Sequence, residues 1–121
     1  MESKKTLVLG ASPNPSRYSN KAIKRLLAYG HEVVAIGRRE ADIEGVMVQQ
    51  GMPPLRNIHT VTLYLGPANQ EEYLDYLMAL KPERIIFNPG TYNRTLEDMA
   101  RERGIETVED CTLVMLDTDD F

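Results

Sequence analysis

At 121 residues the chain is the size of one domain, large enough for a buried core and too small for a second catalytic domain. Hydrophobic residues at 42% and charged residues at 26% exclude a disordered chain, and no apolar run approaches the roughly 18 residues a membrane helix requires. A net charge of −4 argues against nucleic acid as a partner, yet a nest of backbone N–H groups can hold a small phosphorylated ligand even on an acidic chain.

In chain order, the opening MESKKTLVLG is too short in apolar residues for a signal peptide, and Thr6-Leu7-Val8-Leu9 reads as a strand closed by Gly10. Its unbroken apolar character is that of a strand covered on both faces. After the loop Ala11 to Tyr18, Ile23, Leu26 and Leu27 mark one face of a helix with Ser19 as its expected N-cap and Gly30 beyond its end. Val33 to Ile36 is a second buried strand ending in Gly37. The stretch 38–57, with Gly45, Gly51 and Pro53-Pro54, reads as irregular, its one strand-like piece being Val46-Met47-Val48.

Val61 to Leu65 reads as the third strand, closed by Gly66-Pro67. Asn69 is the expected cap of the next helix, with Glu71 and Glu72 in its first turn, where the helix dipole favours negative charge, and Pro82 beyond its end. Ile85-Ile86-Phe87 is strand four, a helix through Leu96, Met99 and Ala100 follows, and Ile105 to Val108 is strand five. Leu113 to Leu116 reads as a last short helix, and the acidic tail 117–121 is expected to fray. Strand and helix alternating at this spacing predict one doubly wound Rossmann-like α/β domain over residues 1–121, three layers deep, with a mainly parallel five-stranded sheet.

Such sheets bind ligands beyond the carboxyl ends of their strands, where strand order reverses. The first such loop carries Gly10, Ala11, Ser12, Asn14, Pro15, Ser16, Arg17, Tyr18 and Ser19: a glycine for close backbone approach, hydroxyl donors, a guanidinium and a helix start suited to an anion. The dinucleotide fingerprint G-x-G-x-x-G is absent, since residues 10–15 read G-A-S-P-N-P. Gly37, Arg38 and Arg39 stand where an acidic residue would hold the ribose of NAD, so NADP or coenzyme A fits better than NAD.

The loop Gly10-Ala11-Ser12-Pro13-Asn14-Pro15 resembles the opening of the CoA-binding domain family, small Rossmann proteins similar to the nucleotide domain of the succinyl-CoA ligase alpha subunit. The resemblance continues through Ser19-Asn20, Gly30 to Val33, Tyr64 to Pro67, Asn88-Pro89-Gly90, and Gly104-Ile105-Glu106 to Asp110-Cys111. It implies coenzyme A or an acyl-CoA across the strand ends, with phosphates on the first loop beside Arg17 and Tyr18. Arg38 and Arg39 would approach the phosphorylated adenosine, Leu65, Gly66 and Pro67 would pack on adenine, and Asn88, Pro89 and Gly90 would line the pantetheine side. Two positions depart from the family: Gly37-Arg38-Arg39 replaces its usual Asn-Pro, and Asn88 stands where glutamine is common.

No catalytic set emerges. One cysteine and two isolated histidines do not make a metal site, and His31 and His59 read as surface or turn residues. The lone Cys111 forms no internal disulfide and suits a reducing compartment, so a cytoplasmic location is expected. The reading is therefore a binding module for a nucleotide ligand, without membrane attachment, working as a homodimer or beside a partner enzyme. The alternatives are an NADP-dependent oxidoreductase, with Tyr64, Tyr92 or Cys111 as proton donor, and a ligand-free interaction scaffold.

Overall fold

In the computed structural model, which describes residues 2–121, seven strands form one sheet. They are β1 (Thr6–Ala11), β2 (Val33–Gly37), β3 (Ala41–Ile43), β4 (Val46–Gln49), β5 (Thr60–Leu63), β6 (Arg84–Phe87) and β7 (Glu106–Glu109). Their order across the sheet is β3-β4-β2-β1-β5-β6-β7, and every pairing is parallel except that of β3 with β4. The helices are α1 (Tyr18–Ala28), α2 (Pro67–Gln70), α3 (Leu74–Leu80), α4 (Arg94–Glu102) and α5 (Thr112–Asp117), with a 3-10 turn at Glu71–Tyr73 between α2 and α3.

The alternation of side chains along each strand sorts the apolar residues into two cores. Leu7, Leu9, Val61, Leu63, Ile85 and Phe87 pack on one face beneath Leu77 and Met78 of α3 and Leu96 and Ala100 of α4. Val8, Ala35 and Ile86 pack on the other beneath Ile23 and Leu26 of α1 and Met115 and Leu116 of α5. Each such side chain, fully buried, contributes about 1.5–3 kcal/mol from leaving water. Strands sandwiched this way have no polar face, which is why their sequences read as unbroken apolar runs.

The expected five-stranded sheet has seven strands, because β3 and β4 form a hairpin inside the stretch that reads as irregular. Its turn is Glu44-Gly45, both with positive φ (50° and 89°), braced by the Gly45 N–H donating to Asp42 Oδ1 at 2.7 Å. A two-residue turn of this kind suits an antiparallel pair, but glutamate in place of the usual asparagine hides it. β4 alternates as an edge-side strand should, Val46 and Val48 buried and Met47 exposed.

The tail also differs from expectation. Asp117 pairs with Arg25 Nη1 at 2.5 Å and accepts from the Tyr29 hydroxyl at 3.1 Å. Phe121 is buried, its ring 4.9 Å from that of His31 and 4.4 Å from the Arg84 guanidinium, and Lys4 Nζ donates to its carbonyl. One aromatic ring holds down a segment that its acidic composition would leave in solvent. Two helix starts also shift: α1 begins at Tyr18 with Arg17 as N-cap, and α2 begins at Pro67 with Gly66 as N-cap, so Ser19 and Asn69 lie inside their helices.

Candidate functional site

β1 pairs with β2 on one side and β5 on the other, so the chain reverses direction across the sheet beside β1, and a crevice opens at the carboxyl ends there. A cleft of about 680 Å³ occupies it. From the first loop it takes Gly10, Ala11, Ser12, Asn14, Arg17, Tyr18 and Ser19, from the end of β2 Gly37, Arg38 and Arg39, and from the loops after β5 and β6 Leu65 and Pro89. Pro15, Ser16, Gly66, Pro67, Asn88 and Gly90 do not line it. Pro13, Ile36, Tyr64, Asn69, Glu72, Tyr73 and Thr91 do, beyond the residues expected from sequence.

Two glycines shape the floor for reasons internal to the chain. Gly10, at φ 99°, interrupts the β1–β2 register, and a Cβ there would lie 2.9 Å from the Tyr64 carbonyl carbon. At Gly37 a Cβ would run into the Ala11 carbonyl oxygen. The three strand ends converge too tightly for side chains, which leaves the crevice open above them.

The first loop is held by its own polar groups. Ser12 Oγ accepts from the Asn14 N–H at 3.1 Å and keeps its own O–H free to donate. Asn14 Oδ1 accepts from both the N–H (3.0 Å) and the hydroxyl (2.8 Å) of Ser16, so the Ser16 hydroxyl is spent inside the loop. Asn20, buried behind it, donates from Nδ2 to the Ser12 carbonyl at 3.0 Å. The start of α1 therefore faces the cleft on a braced loop, with no side-chain cap over its free N–H groups.

Arg17, Arg38 and Arg39 all line the cleft, and among the described residues none has an ion-pair partner. Gln50 Nε2 donates to the Arg38 carbonyl at 2.6 Å and fixes the basic turn against β4. Tyr73 stands near Arg38: burial and the Glu72 carboxylate raise its phenol while the guanidinium lowers it. Burial pushes the Tyr64 phenol up to about 12, with its hydroxyl out of solvent near Thr62 and Thr112.

Asn88 belongs to the scaffold. It is buried, its Nδ2 donating to Thr62 Oγ1 (2.7 Å) and the Leu63 carbonyl (2.8 Å), and its Oδ1 accepting from the Thr112 N–H at 2.8 Å. Its three partners tie β5, β6 and α5 together below the cleft. Gln70 is fully buried, a placement the sequence does not signal, since a lone glutamine in a polar segment carries no mark of burial.

Cys111, partly buried, follows β7 at the carboxyl end of the sheet. His31 and His59 precede β2 and β5 at the amino end, a strand length away, roughly 13 Å for four residues. His31 Nδ1 accepts from the Lys4 N–H at 3.0 Å, and His59 Nδ1 lies 2.7 Å from Thr60 Oγ1. The fold thus separates the thiol from both imidazoles. Among the described residues no cluster of three or more metal-ligating side chains forms, and no helix is long and apolar enough to cross a membrane.

A doubly wound sheet with an anion-suited crevice at its switch point defines a Rossmann-like binding domain. Residues 4–117 match the model of a family described as the CoA binding domain, and the chain belongs to that family. The solved structure of an uncharacterized protein is similar over 100% of both chains, at 45% identity and a TM-score of 0.97. A hypothetical protein from Pyrococcus horikoshii OT3 is 26% identical over 96% of this chain and 83% of its own, with a TM-score of 0.85. A dinucleotide-forming acetyl-coenzyme A synthetase from Ca. Korarchaeum cryptofilum, in complex with phosphate and ADP, shares the fold at 16% identity and a TM-score of 0.71, over 88% of this chain and 25% of its own. None of the curated proteins matches the sequence.

Proposed function

We propose that the cleft binds coenzyme A or an acyl-CoA and that the chain is a cytoplasmic, non-catalytic binding module. The observation that carries this reading is the set of three arginines, Arg17, Arg38 and Arg39, lining one cleft without carboxylate partners among the described residues, on a chain of net charge −4. Cations left unpaired in a concave site favour an anionic ligand. They stand at two places, Arg17 on the first loop and Arg38-Arg39 beyond β2, which suits a ligand with a diphosphate and a separate ribose phosphate. Family membership favours CoA over NADP.

The reading assigns the diphosphate to the α1 start, Ser12 and Arg17, and the phosphorylated ribose to Arg38 and Arg39. Leu65 and Tyr73 flank the adenine, and Pro89 and Thr91 the pantetheine arm. Chemistry has little support: Cys111 lies far from both histidines, and the buried Tyr64 phenol holds its proton too tightly to donate it readily.

Calorimetric titration with CoA, dephospho-CoA, NADP and NAD tests the proposal. Saturable CoA binding, weaker dephospho-CoA and no response to NAD or NADP is the expected pattern. Binding of NADP alone would replace it with the reductase reading, and no binding at all with the scaffold reading.

A further inference from the structure

We infer that Gln70 is a positioning residue of this site, a buried bolt that sets the spacing between the cleft wall after β5 and the wall after β6. The inference rests on the cleft being a CoA site. Gln70 is 0% exposed, and its amide is fully used. Nε2 donates to the Leu65 carbonyl at 2.8 Å and to the Thr91 carbonyl at 2.7 Å, while Oε1 accepts from Asn93 Nδ2 at 3.1 Å. Leu65 and Thr91 both line the cleft, from the loops after β5 and β6.

The chain of contacts continues beyond the bolt. Asn93 caps α4, its Oδ1 accepting from the N–H groups of Thr95 (3.0 Å) and Leu96 (3.3 Å). The loop after β5, the loop after β6 and the start of α4 are therefore tied into one hydrogen-bonded unit. Only a carboxamide can do this: the two carbonyls need two donors, and Asn93 needs an acceptor. A ligand whose arm spans both walls depends on their spacing. One that ends at its 5′-phosphate meets only the wall after β5, through its adenine, and does not depend on that spacing.

Two variants of the full chain test the inference, with CoA as the ligand that spans the walls and 3′,5′-ADP as the one without an arm. Gln70→Met fills the same space and abandons both carbonyls. Asn93→Asp retains the α4 cap, since aspartate caps as well as asparagine, but turns an acceptor toward Gln70 Oε1; it keeps the test open if Gln70→Met does not fold. CoA binding should weaken about tenfold in either variant, the scale of one lost buried hydrogen bond, with 3′,5′-ADP within about twofold of the parent. Equal losses for both ligands, or none, would overturn the positioning role.

A parent chain that binds neither ligand would sink the CoA reading instead. Amide exchange then judges Gln70 by itself. Faster exchange over residues 64–66 and 90–93 in Gln70→Met, with β1 unchanged, supports the bolt, and unchanged exchange in those loops overturns it.

Discussion

Gly10 faces the backbone of Tyr64 so closely that a Cβ on Gly10 would sit 2.9 Å from the Tyr64 carbonyl carbon and 3.0 Å from its oxygen. The neighbour is main chain at the end of a central strand, which cannot rotate away as a side chain would. Gly10 also holds φ 99°, a conformation that costs an L-residue energy even without a clash.

Gly10→Ala should therefore destabilise the fold, by about 2–4 kcal/mol when strain and overpacking combine. Urea denaturation followed by circular dichroism gives the number. Gly90, also at positive φ but with open space where its Cβ would be, is the control: Gly90→Ala should cost only the conformational part, about 1–2 kcal/mol. Equal effects at the two positions would show that close packing at Gly10 contributes nothing.

Arg38→Ala combined with Arg39→Ala should weaken CoA by about tenfold or more and dephospho-CoA by much less, because both side chains are exposed and form no ion pair among the described residues. Exposure also makes the effect sensitive to salt. Parallel titrations at low and high ionic strength check both points. If the two ligands weaken alike, the pair does not read the ribose phosphate.

Ser12 is half-buried at the mouth of the cleft, beside the N-terminus of α1. Ser12→Trp should abolish CoA binding by filling the space over the first loop. The loop follows β1 and carries little of the core, so the denaturation midpoint should stay near that of the parent. Unaltered CoA affinity would remove this loop from the site.

What could be read from sequence divides along physical lines. Strands such as Leu7-Val8-Leu9 and Ile85-Ile86-Phe87 announce themselves because burial on both faces removes every polar residue, and glycines mark their ends. The loops at those ends followed from the topology, and many of their residues line the cleft. The β3–β4 hairpin stayed hidden behind a glutamate with φ 50°. The buried hydrogen bonds of Gln70 and Asn88 are not legible in the sequence, because what a polar side chain does when buried depends on partners distant in sequence, here Thr91, Asn93 and Thr112. Phe121 shows the same effect for an apolar residue: its partners are His31, just before β2, and Arg84, at the start of β6, on opposite sides of β1.

His31 makes stability depend on acid. Its ring is buried, Nδ1 accepts from the Lys4 N–H, and Nε2 lies out of solvent without a hydrogen-bond partner among the described residues. Burial first, then the charges of Lys4 and Arg84 and the nearby His59, hold its pKa below the ordinary 6.5. The folded chain thus binds a proton less readily than the unfolded one, so His31 withdraws stability as pH falls through 6.5 toward its folded value and has no effect well above it. His59 acts in the same direction, since burial outweighs the Glu83 carboxylate beside it. The urea midpoint should fall between about pH 7.5 and about pH 5 in the parent. His31→Asn retains an acceptor for the Lys4 N–H and cannot titrate, so it should flatten that slope while leaving the His59 share. A slope unchanged in His31→Asn would place the acid sensitivity elsewhere.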